Sequence, residues 1–544
     1  MPLVSVLGYR IPMLNFDLAD QYWPEMTTIV RPLHAGNEIR DPAAVVEILR
    51  ACFRYLEDKF MALIAAETKA SFYLAVHRFH ESTTELWLQQ LNGTTLPVNS
   101  SDFAAVRRVL KLILEQGCAN DLRNSVNYSQ DIAANSSAYL NIIDHLLYLG
   151  YWANGIAGFI SRSQLFPEAI GFRFDEHGID FVIYEPFATV LDYVDRDYFQ
   201  HQPDVVLHNT IQELKQVFSE KLGIDYDYVT EWMTELPEEP VLVNPELLFE
   251  ELLQKGYDKA HLTSFFAGLT VSRANKMSFE DCIIRNQDIN RYTYRPILSL
   301  QVEGVEYWLV GLKKWQESLV TMTTNALPFG VCPPEWKAYR PVARFISEVE
   351  NEHDKTLEKP LADMLKARGF VYETNVKFIH NGTQTISIVV KDLGEIDLLY
   401  IDHVQRVLYV CECKHNRSKF DAAGWRRDYS NFVRDYETQL ANKLRWATEH
   451  VDALAAHFTR TEKRPIDLAG YAVKGIFVIN APTVYMYDGA FPTYTISMFR
   501  ELVNGRFQEH QISYPLPESQ QVRLIGRPYM KNGARLFAEL AANA

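Results

Sequence analysis

The sequence predicts a multidomain α+β protein with three regions. A mostly helical region is expected over residues 1–235, a small α+β region over 236–333, and an α/β domain with a central mixed sheet over 334–544. Three observations lead to this division. The chain of 544 residues is too long for one hydrophobic core, its hydrophobic period changes along the chain, and the proline-rich segment LPFGVCPPEWK precedes the last region.

The first region is predicted to be helical from its hydrophobic period. In VVEILRACFRYLEDKFMALIAA and FAAVRRVLKLILEQG, apolar residues recur at spacings of three and four. One hairpin interrupts the helices, because AIGFRFDEHGIDFVIYE contains two alternating strands around a turn at His177-Gly178. The middle region follows the acidic, proline-rich connector TELPEEPVLVNP and includes YTYRPILSLQVEGVEYWLVGL, a β-rich stretch that turns at Glu303-Gly304.

The last region is predicted to have the element order α-β-β-β-α-β. A long helical segment ends at Gly369, and Pro360 is expected to split or kink it. Three strand-like stretches follow, VYETNVKF, TISIVVKDLGEIDLLYI and VLYVCECK, the last two joined by a turn at Asp402-His403. A helix over residues 422–458 and the buried strand GYAVKGIFVINA complete the order. Because this unit has its own core, we expect a fragment starting near Pro334 to fold alone.

The composition is that of an ordinary globular protein, with 47% hydrophobic and 23% charged residues. The chain has no apolar run of ~20 residues, and its N-terminus lacks the basic start and cleavage site of a signal peptide. We therefore expect a cytoplasmic protein with no membrane partner. Six cysteines are too few for a disulfide scaffold. Strand alternation puts Cys411 and Cys413 opposite Glu412 and Lys414, where reduced core thiols are favoured over metal ligands.

The net charge of -15 is distributed unevenly along the chain. Residues 335–544 contain 28 Lys and Arg and 26 Asp and Glu, which leaves 26 and 43 of the totals of 54 and 69 for residues 1–334. The acidity is therefore almost wholly N-terminal. A basic groove in the C-terminal region is compatible with this charge.

Two charged residues, Glu412 and Lys414, stand at the end of the predicted buried strand VLYVCECK. Burying an ion is costly unless it is paired or bound to a metal. Glu395 and Asp397 share one face of the preceding strand, and strands joined by a short turn are neighbours. Asp397 is therefore expected to converge with Glu412 and Lys414. Two carboxylates brought together favour a hard cation, Mg²⁺ or Mn²⁺, and the lysine would orient or deprotonate an attacking water.

Together these residues resemble the PD-(D/E)XK nuclease superfamily of restriction-endonuclease-like folds, over about residues 340–485. Gly394-Glu395-Ile396-Asp397 resembles the Asp motif of that family, and Glu412-Cys413-Lys414 resembles its Glu-x-Lys motif. The resemblance implies that Asp397 and Glu412 hold the metal, that Lys414 acts on the water, and that Glu358, on the preceding helix, completes the metal shell.

Some assignments within the resemblance stay open. Glu352 is an alternative to Glu358 as the helix acid, and Glu395 is either a further ligand or a neighbour that tunes the site. Gln439 resembles the glutamine that many members place beside the site. That glutamine is commonly followed by a tyrosine in the family, whereas this sequence has Lys443 nearby.

Basic residues follow the candidate catalytic strand and are suited to contacts with a phosphate backbone. The candidates for nucleic-acid binding are Arg417, Lys419, Arg426 and Arg427. The interleaved aromatic residues Trp425, Tyr429, Phe432 and Tyr436 have the spacing of a helix core face, so we assign them to packing.

The leading functional hypothesis is a magnesium-dependent endonuclease that hydrolyses phosphodiester bonds. DNA is favoured as the partner because most relatives of this fold cut DNA, and bacterial restriction or antiviral defence is the expected context by analogy. One alternative is a catalytically inactive nuclease fold that binds nucleic acid or serves as a sensor or scaffold. Another is a protein-interaction function of the N-terminal region, which is also where contacts to a second copy or a partner protein are expected. His77, His80 and Glu81 share a helix face, but their order is not that of a zinc protease.

Overall fold

The computed structural model describes residues 3–175, 178–201, 210–237, 241–353, 357–389, 393–516 and 521–543. It is a mixed α+β, multidomain structure whose contacts group into two compact units. Unit 1 comprises residues 1–163, 171–182 and 207–349, and unit 2 comprises residues 164–170, 183–206 and 350–544. Within the described parts of the chain, no helix has the length and apolar character needed to cross a membrane.

Helices and strands are numbered here in chain order. The helices are α1 (Ala19–Val30), α2 (Pro42–Ala66), α3 (Ala70–Leu91), α4 (Ser100–Gly117), α5 (Tyr128–Leu165), α6 (Phe187–Gln200), α7 (Thr210–Leu222), α8 (Tyr226–Thr234), α9 (Pro245–Gln254), α10 (Lys259–Leu269), α11 (Phe279–Ile284), α12 (Leu312–Asn325), α13 (Pro334–Lys337), α14 (Arg340–His353), α15 (Glu358–Ala367), α16 (Ala422–Asn431), α17 (Glu437–Glu449), α18 (Val451–Glu462), α19 (Tyr485–Asp488), α20 (Ile496–Val503) and α21 (Tyr529–Asn543). The strands are β1 (Leu3–Val6), β2 (Tyr9–Pro12), β3 (Glu38–Ile39), β4 (Asp121–Leu122), β5 (Ile170–Asp175), β6 (Gly178–Ile183), β7 (Val241–Val243), β8 (Thr270–Val271), β9 (Ile297–Val302), β10 (Val305–Val310), β11 (Val371–Val376), β12 (Phe378–His380), β13 (Thr385–Ser387), β14 (Ile396–Asp402), β15 (Val407–Lys414), β16 (Ala472–Ile479), β17 (Thr493–Thr495), β18 (Ile512–Pro515) and β19 (Val522–Ile525).

Unit 1 is mainly helical, with a sheet in the order β4-β9-β10-β7 and β8 paired to β9. The predicted turn at Glu303-Gly304 joins β9 to β10, and both residues have the positive φ that a two-residue hairpin turn requires, 52° and 78°. The predicted hairpin of the first region is present as β5 and β6, although His177 of its turn lies outside the described residues.

The two units divide the chain differently from the three predicted regions. The connector near residue 236 does not separate two cores, since Phe218 and Met233 before it share one buried cluster with Phe265 and Trp336 after it. That cluster also includes Ile346, so α14 packs with unit 1 beyond the proline-rich segment. Unit 2 is discontinuous in sequence, because it also contains α6.

Helix α6 belongs to unit 2 through its apolar face. Phe187, Val190, Leu191, Val194 and Tyr198 are buried at spacings of one, three and four. Phe187 packs on Phe537 of α21, with ring centroids 5.4 Å apart. A fragment beginning at Pro334 lacks this helix, so it would expose the apolar surface that α6 covers.

Unit 2 is built on a five-stranded mixed sheet in the order β11-β14-β15-β16-β17. Strands β11, β14 and β15 are antiparallel neighbours, whereas β16 and β17 continue the sheet in parallel with β15. The predicted α-β-β-β-α-β order is present, but the second predicted strand, TISIVVKDLGEIDLLYI, is not one strand. Its start forms β13, which pairs with β12 in a separate hairpin, and its end forms β14 of the main sheet. The predicted helical segment before Gly369 is divided into α14 and α15.

The two faces of this sheet are covered differently. Cys411 and Cys413 lie in a buried cluster with Leu361 and Leu365 of α15 and with Phe499 of α20. Both are buried free thiols, as the strand alternation predicts. On the opposite face, Phe432 packs against Phe477 of β16. The charged side chains of β15 alternate with these cysteines and therefore project from the opposite face.

The helix predicted over residues 422–458 is interrupted twice. A π-helical turn at Phe432–Tyr436 joins α16 to α17, and α17 ends before His450. Because a π turn contains one extra residue, it rotates all later side chains by about 100° around the helix axis. The residues of α17 therefore face a direction that a continuous helical period does not predict.

Candidate active site

The candidate site lies where β14 begins and β15 ends. Leu398 pairs with Cys411 across these strands, so the adjacent residues Asp397 and Glu412 project from the same face. Asp397 is further held by the backbone, since its Oδ2 accepts a hydrogen bond of 2.7 Å from the Cys413 N–H. Strand pairing and this hydrogen bond therefore position both carboxylates on rigid elements.

The two carboxylates converge on the ammonium of Lys443, which α17 places above this face. Lys443 Nζ contacts Glu412 Oε2 and lies 3.6 Å from Asp397 Oδ1. The contact is buried, with Glu412 3% and Lys443 4% exposed. A cation thus occupies the position between two acids that would otherwise repel each other.

Lys414 lies on the open side of Glu412. Its Nζ donates to Glu412 Oε1 at 2.8 Å and to Gln439 Oε1 at 3.3 Å. The ammonium also stands 4.5 Å from the centre of the Tyr436 ring, a cation–π distance. Burial alone would lower the pKa of Lys414, but the charge and hydrogen bond of Glu412 together with the charge of Asp397 outweigh it, and the pKa is raised. Lys414 is therefore a charged, oriented donor.

Asp397 is the acid whose protonation is most perturbed. Burial, followed by the neighbouring charge of Glu412, raises its pKa from 3.8 to about 6, although Lys443 and the Cys413 N–H act in the opposite direction. The carboxyl group of Asp397 therefore becomes protonated at a higher pH than an ordinary aspartate does. Additional positive charge at this position would stabilise the ionised form.

The predicted helix acid, Glu358, lies at the start of α15. It is 7% exposed and accepts a hydrogen bond from Asn375 Nδ2. Asn375 lies on β11 between the residues that pair with Leu398 and Ile396 of β14, so this contact holds Glu358 beside the strand that precedes the site. Among the described residues, no three His, Cys, Asp or Glu side chains are grouped as metal ligands. The side chain of Glu352 lies outside the described residues.

Glu395 points away from this site. Its Oε2 forms an ion pair of 3.1 Å with Lys377, in which the lysine side chain is exposed and the Glu395 side chain is half-buried. The structure therefore brings together Asp397, Glu412, Lys414 and Gln439, and it leaves Glu395 outside this group.

A divalent cation fits the pair Asp397 and Glu412. Their oxygens already converge on one positively charged atom, which is the electrostatic environment that a hard cation with oxygen ligands requires. Two side chains leave the remaining coordination positions to water or substrate, as is usual for Mg²⁺. In this structure the ammonium of Lys443 occupies the position between the two acids.

The predicted nucleic-acid-binding residues differ in exposure. Arg427 is exposed on α16, whereas Arg417 and Arg426 are half-buried. Lys419 is also half-buried, and burial lowers its pKa despite the nearby Asp428. The backbone carbonyl of Lys419 accepts hydrogen bonds from Tyr198 at 2.9 Å and from Trp425 at 3.3 Å, so the loop is anchored in unit 2.

Two residues of the candidate active site, Lys443 and Tyr436, are not predicted from the sequence to have a functional role. Lys443 follows Gln439 by four residues, which places both on one face of α17. The spacing of four residues indicates that Lys443 accompanies Gln439. It does not show that this face of α17 points toward the acids, because the preceding π turn changes the direction of the face. Tyr436 was assigned to packing, and in the structure its ring also contacts the Lys414 ammonium.

No family model matches the chain, and comparison with curated proteins and with solved structures found no match either. The site is therefore interpreted from its own geometry.

Proposed function

We propose that unit 2 is a metal-dependent nuclease of the PD-(D/E)XK type with a restriction-endonuclease-like fold. It would hydrolyse phosphodiester bonds as a Mg²⁺- or Mn²⁺-dependent endonuclease, with DNA as the expected substrate. One observation carries the proposal: two buried carboxylates on paired strands converge on one cation, with an oriented lysine beside them.

The arrangement is poorly explained by stability alone. Buried ion pairs are often no more stabilising than well-packed apolar side chains, because the ions lose their hydration. Here two acids and two lysines are placed at one end of a sheet whose opposite face packs in an apolar cluster. Function gives a reason for retaining them, because an acid pair and a lysine supply the groups needed for phosphoryl chemistry.

Each residue has a distinct role in this proposal. Asp397 and Glu412 would hold the metal, which when bound supplies Lewis acidity and a more acidic water. Lys414 donates a hydrogen bond from Nζ to the attacking water or to a phosphate oxygen, while Glu412 and Gln439 orient it. The Tyr436 ring restricts the ammonium to this position. Lys443 neutralises the two carboxylates. When a metal binds, the ammonium of Lys443 would either keep only part of its contacts with the carboxylate oxygens or move away from them.

The test is cleavage by the purified full chain of supercoiled, linear and single-stranded DNA and of RNA, with Mg²⁺ or with EDTA. We expect Mg²⁺-dependent cleavage of at least one substrate, abolished in Lys414→Ala and in Asp397→Asn. Lys474→Ala is the matched control, because Lys474 is an exposed lysine elsewhere on the same sheet. Ca²⁺ should permit binding without efficient cutting, since its flexible coordination positions water less rigidly. Cleavage that survives in both site variants would show that the activity lies elsewhere.

A second candidate function is nucleic-acid binding without catalysis. The observation that favours it is the position of Lys443, because a permanent ammonium between the acids would replace the metal. On this proposal Mg²⁺ neither binds unit 2 nor changes its affinity for DNA. Titration calorimetry of the full chain with MgCl₂ separates the candidates: a binding isotherm lost in Asp397→Asn supports the nuclease, and no isotherm supports the binding protein.

A further inference from the structure

A second concave site lies within unit 2, next to strand β17 at the edge of the sheet. Its volume is about 230 Å³. Aromatic side chains from α6, α19, β17, α21 and the segment before β18 line it, namely Tyr193, Tyr487, Tyr494, Tyr529, Phe507 and His510. None of these residues belongs to the candidate active site.

The rings form a stacking surface that reaches the solvent. Tyr193 and the exposed His510 are parallel within 10°, with centroids 4.6 Å apart. Behind them, Tyr529 lies 5.2 Å from Tyr193, and Tyr487 lies perpendicular to Tyr193 at 6.3 Å. A planar ligand would extend this stack or replace its outer ring.

The pocket is lined by both hydrogen-bond donors and hydrogen-bond acceptors. Asp197 Oδ2 accepts from Tyr487 at 2.7 Å and contacts His201 at 3.2 Å, and these partners lower its pKa despite burial. Arg527 also lines the pocket, but its guanidinium donates to the backbone carbonyls of Met486, Gly489 and Phe491 and therefore fixes the wall. An aromatic cage for an organic cation has no need of a guanidinium in its wall. The carboxylate of Asp197 and the amide of Gln508, which also line the pocket, supply an acceptor and a donor that match the edge of a nucleobase.

The position of the pocket agrees with this ligand class. Glu412 pairs with Phe477, and Phe477 pairs with Thr493, which lines the pocket. Two strand spacings of ~4.8 Å separate the pocket wall from the candidate metal ligand by roughly 10 Å. That distance is about three nucleotides at the ~3.4 Å rise of a strand stacked as in duplex DNA, and fewer nucleotides in an extended single strand. The volume lies below the ~300–1,000 Å³ typical of drug-sized sites, so it suits a single base.

We propose that this pocket binds one nucleobase by stacking. The base belongs either to a single-stranded segment of the substrate or to a free nucleotide, and the first source rests on the proposed nuclease function. A bound base would fix the register of the strand relative to Asp397 and Glu412. The pocket would then select single-stranded or distorted sites, because a base within an intact duplex cannot enter it.

The test uses the full-length chain in EDTA, so that no strand is cut. Fluorescence anisotropy compares a labelled single-stranded 10-mer with an abasic 10-mer of equal charge, and calorimetry measures the four deoxynucleoside monophosphates. We expect the base-bearing 10-mer to bind more tightly than the abasic one. Tyr193→Ala and His510→Ala should weaken it by roughly 5- to 150-fold, the range of one stacked base, and leave the abasic 10-mer unchanged.

Tyr471→Ala is the matched control, because it also removes a tyrosine paired with a histidine, His403, outside the pocket. His510 is exposed, so its variant keeps the test informative if Tyr193→Ala fails to fold. Tight binding of monophosphates with no gain for the 10-mer supports the pocket with free nucleotide as the source. Equal binding of both 10-mers together with no binding of monophosphates overturns the inference, even if Mg²⁺-dependent cleavage is found. Base-dependent binding without any cleavage keeps the inference and removes the nuclease function.

Discussion

The ammonium of Lys443 gives the sharpest test of the candidate active site. Lys443→Met keeps a long apolar stem and removes the charge that faces Asp397 at 3.6 Å and contacts Glu412. One such interaction at 3.6 Å is about 4–5 kcal/mol at an effective dielectric of ~20, and breaking a buried pair costs about 3–5 kcal/mol. Protonation of Asp397, whose pKa is already about 6, relieves part of this loss at low pH. At pH 8 we therefore expect a loss of about 3–5 kcal/mol in the free energy of unfolding.

The metal should reverse this loss. With the ammonium gone, Mg²⁺ would take the position between Asp397 and Glu412 without competing with Lys443. Saturation at about 100 times its dissociation constant stabilises the folded state by ~2.7 kcal/mol. Mg²⁺ should therefore stabilise Lys443→Met more than the wild type, in which the ammonium must yield part of its contacts.

Urea unfolding of the full chain in EDTA and in MgCl₂ measures both effects, and hydrogen exchange of the segment 407–414 reports on unit 2 separately from unit 1. Lys474→Met is the control, because it removes an exposed lysine of the same sheet. Lys443→Arg tests whether charge alone suffices. If Lys443→Met is as stable as the wild type in EDTA, or if Mg²⁺ stabilises both equally, the reasoning about a shared cation position is refuted.

Two further predictions concern unit 1. Arg291 forms a buried ion pair with Glu115, in which its Nε donates to both carboxylate oxygens at 2.8 and 3.0 Å. Arg291→Ala should therefore lower the free energy of unfolding in urea by about 3–5 kcal/mol. Arg273→Ala, at an exposed pair with Asp121, should change it by less than about 1 kcal/mol. Burial raises the pKa of Glu81 to about 7 against 4.5 in the unfolded chain, although the N–H groups of Lys313 and Lys314 oppose the shift. Its contribution to stability is present below pH 4.5 and is lost as the pH rises to 7, so the wild type should lose stability relative to Glu81→Gln over that window. A difference that is constant from pH 4.5 to 8 would contradict the assignment.

The local pattern predicted the strands of unit 2 well. β15 spans Val407–Lys414, the stretch VLYVCECK, because a buried strand has a simple period of two and the turn before it is marked by polar residues. The same period placed Glu412 opposite the cysteines and beside Asp397. These features depend on residues close together in sequence, or on one short turn between adjacent strands.

The features that the sequence did not predict depend on contacts between residues far apart in the chain, or on a local change in the helical period. The π turn at Phe432–Tyr436 rotates Lys443 onto the acids, and no residue pattern in the segment marks that insertion. The membership of α6 in unit 2 depends on packing against residues more than 200 positions later, such as Trp425 and Phe537. The hydrogen bond between Glu358 of α15 and Asn375 of β11 likewise joins two different elements, which no local period predicts.

The discontinuity of unit 2 has a consequence for synthesis on the ribosome. Phe187 and its partner Phe537 are roughly 350 positions apart, and at ~5–20 residues per second their translation is separated by tens of seconds. Until Trp425 and then Phe537 are made, the apolar face of α6 lacks its full set of native partners in unit 2, so it is a surface that a chaperone would need to protect. The candidate catalytic strands emerge before α21 does. An incomplete nascent chain therefore cannot assemble all of unit 2, and a nuclease built in this way would become active only after almost the whole chain has been translated.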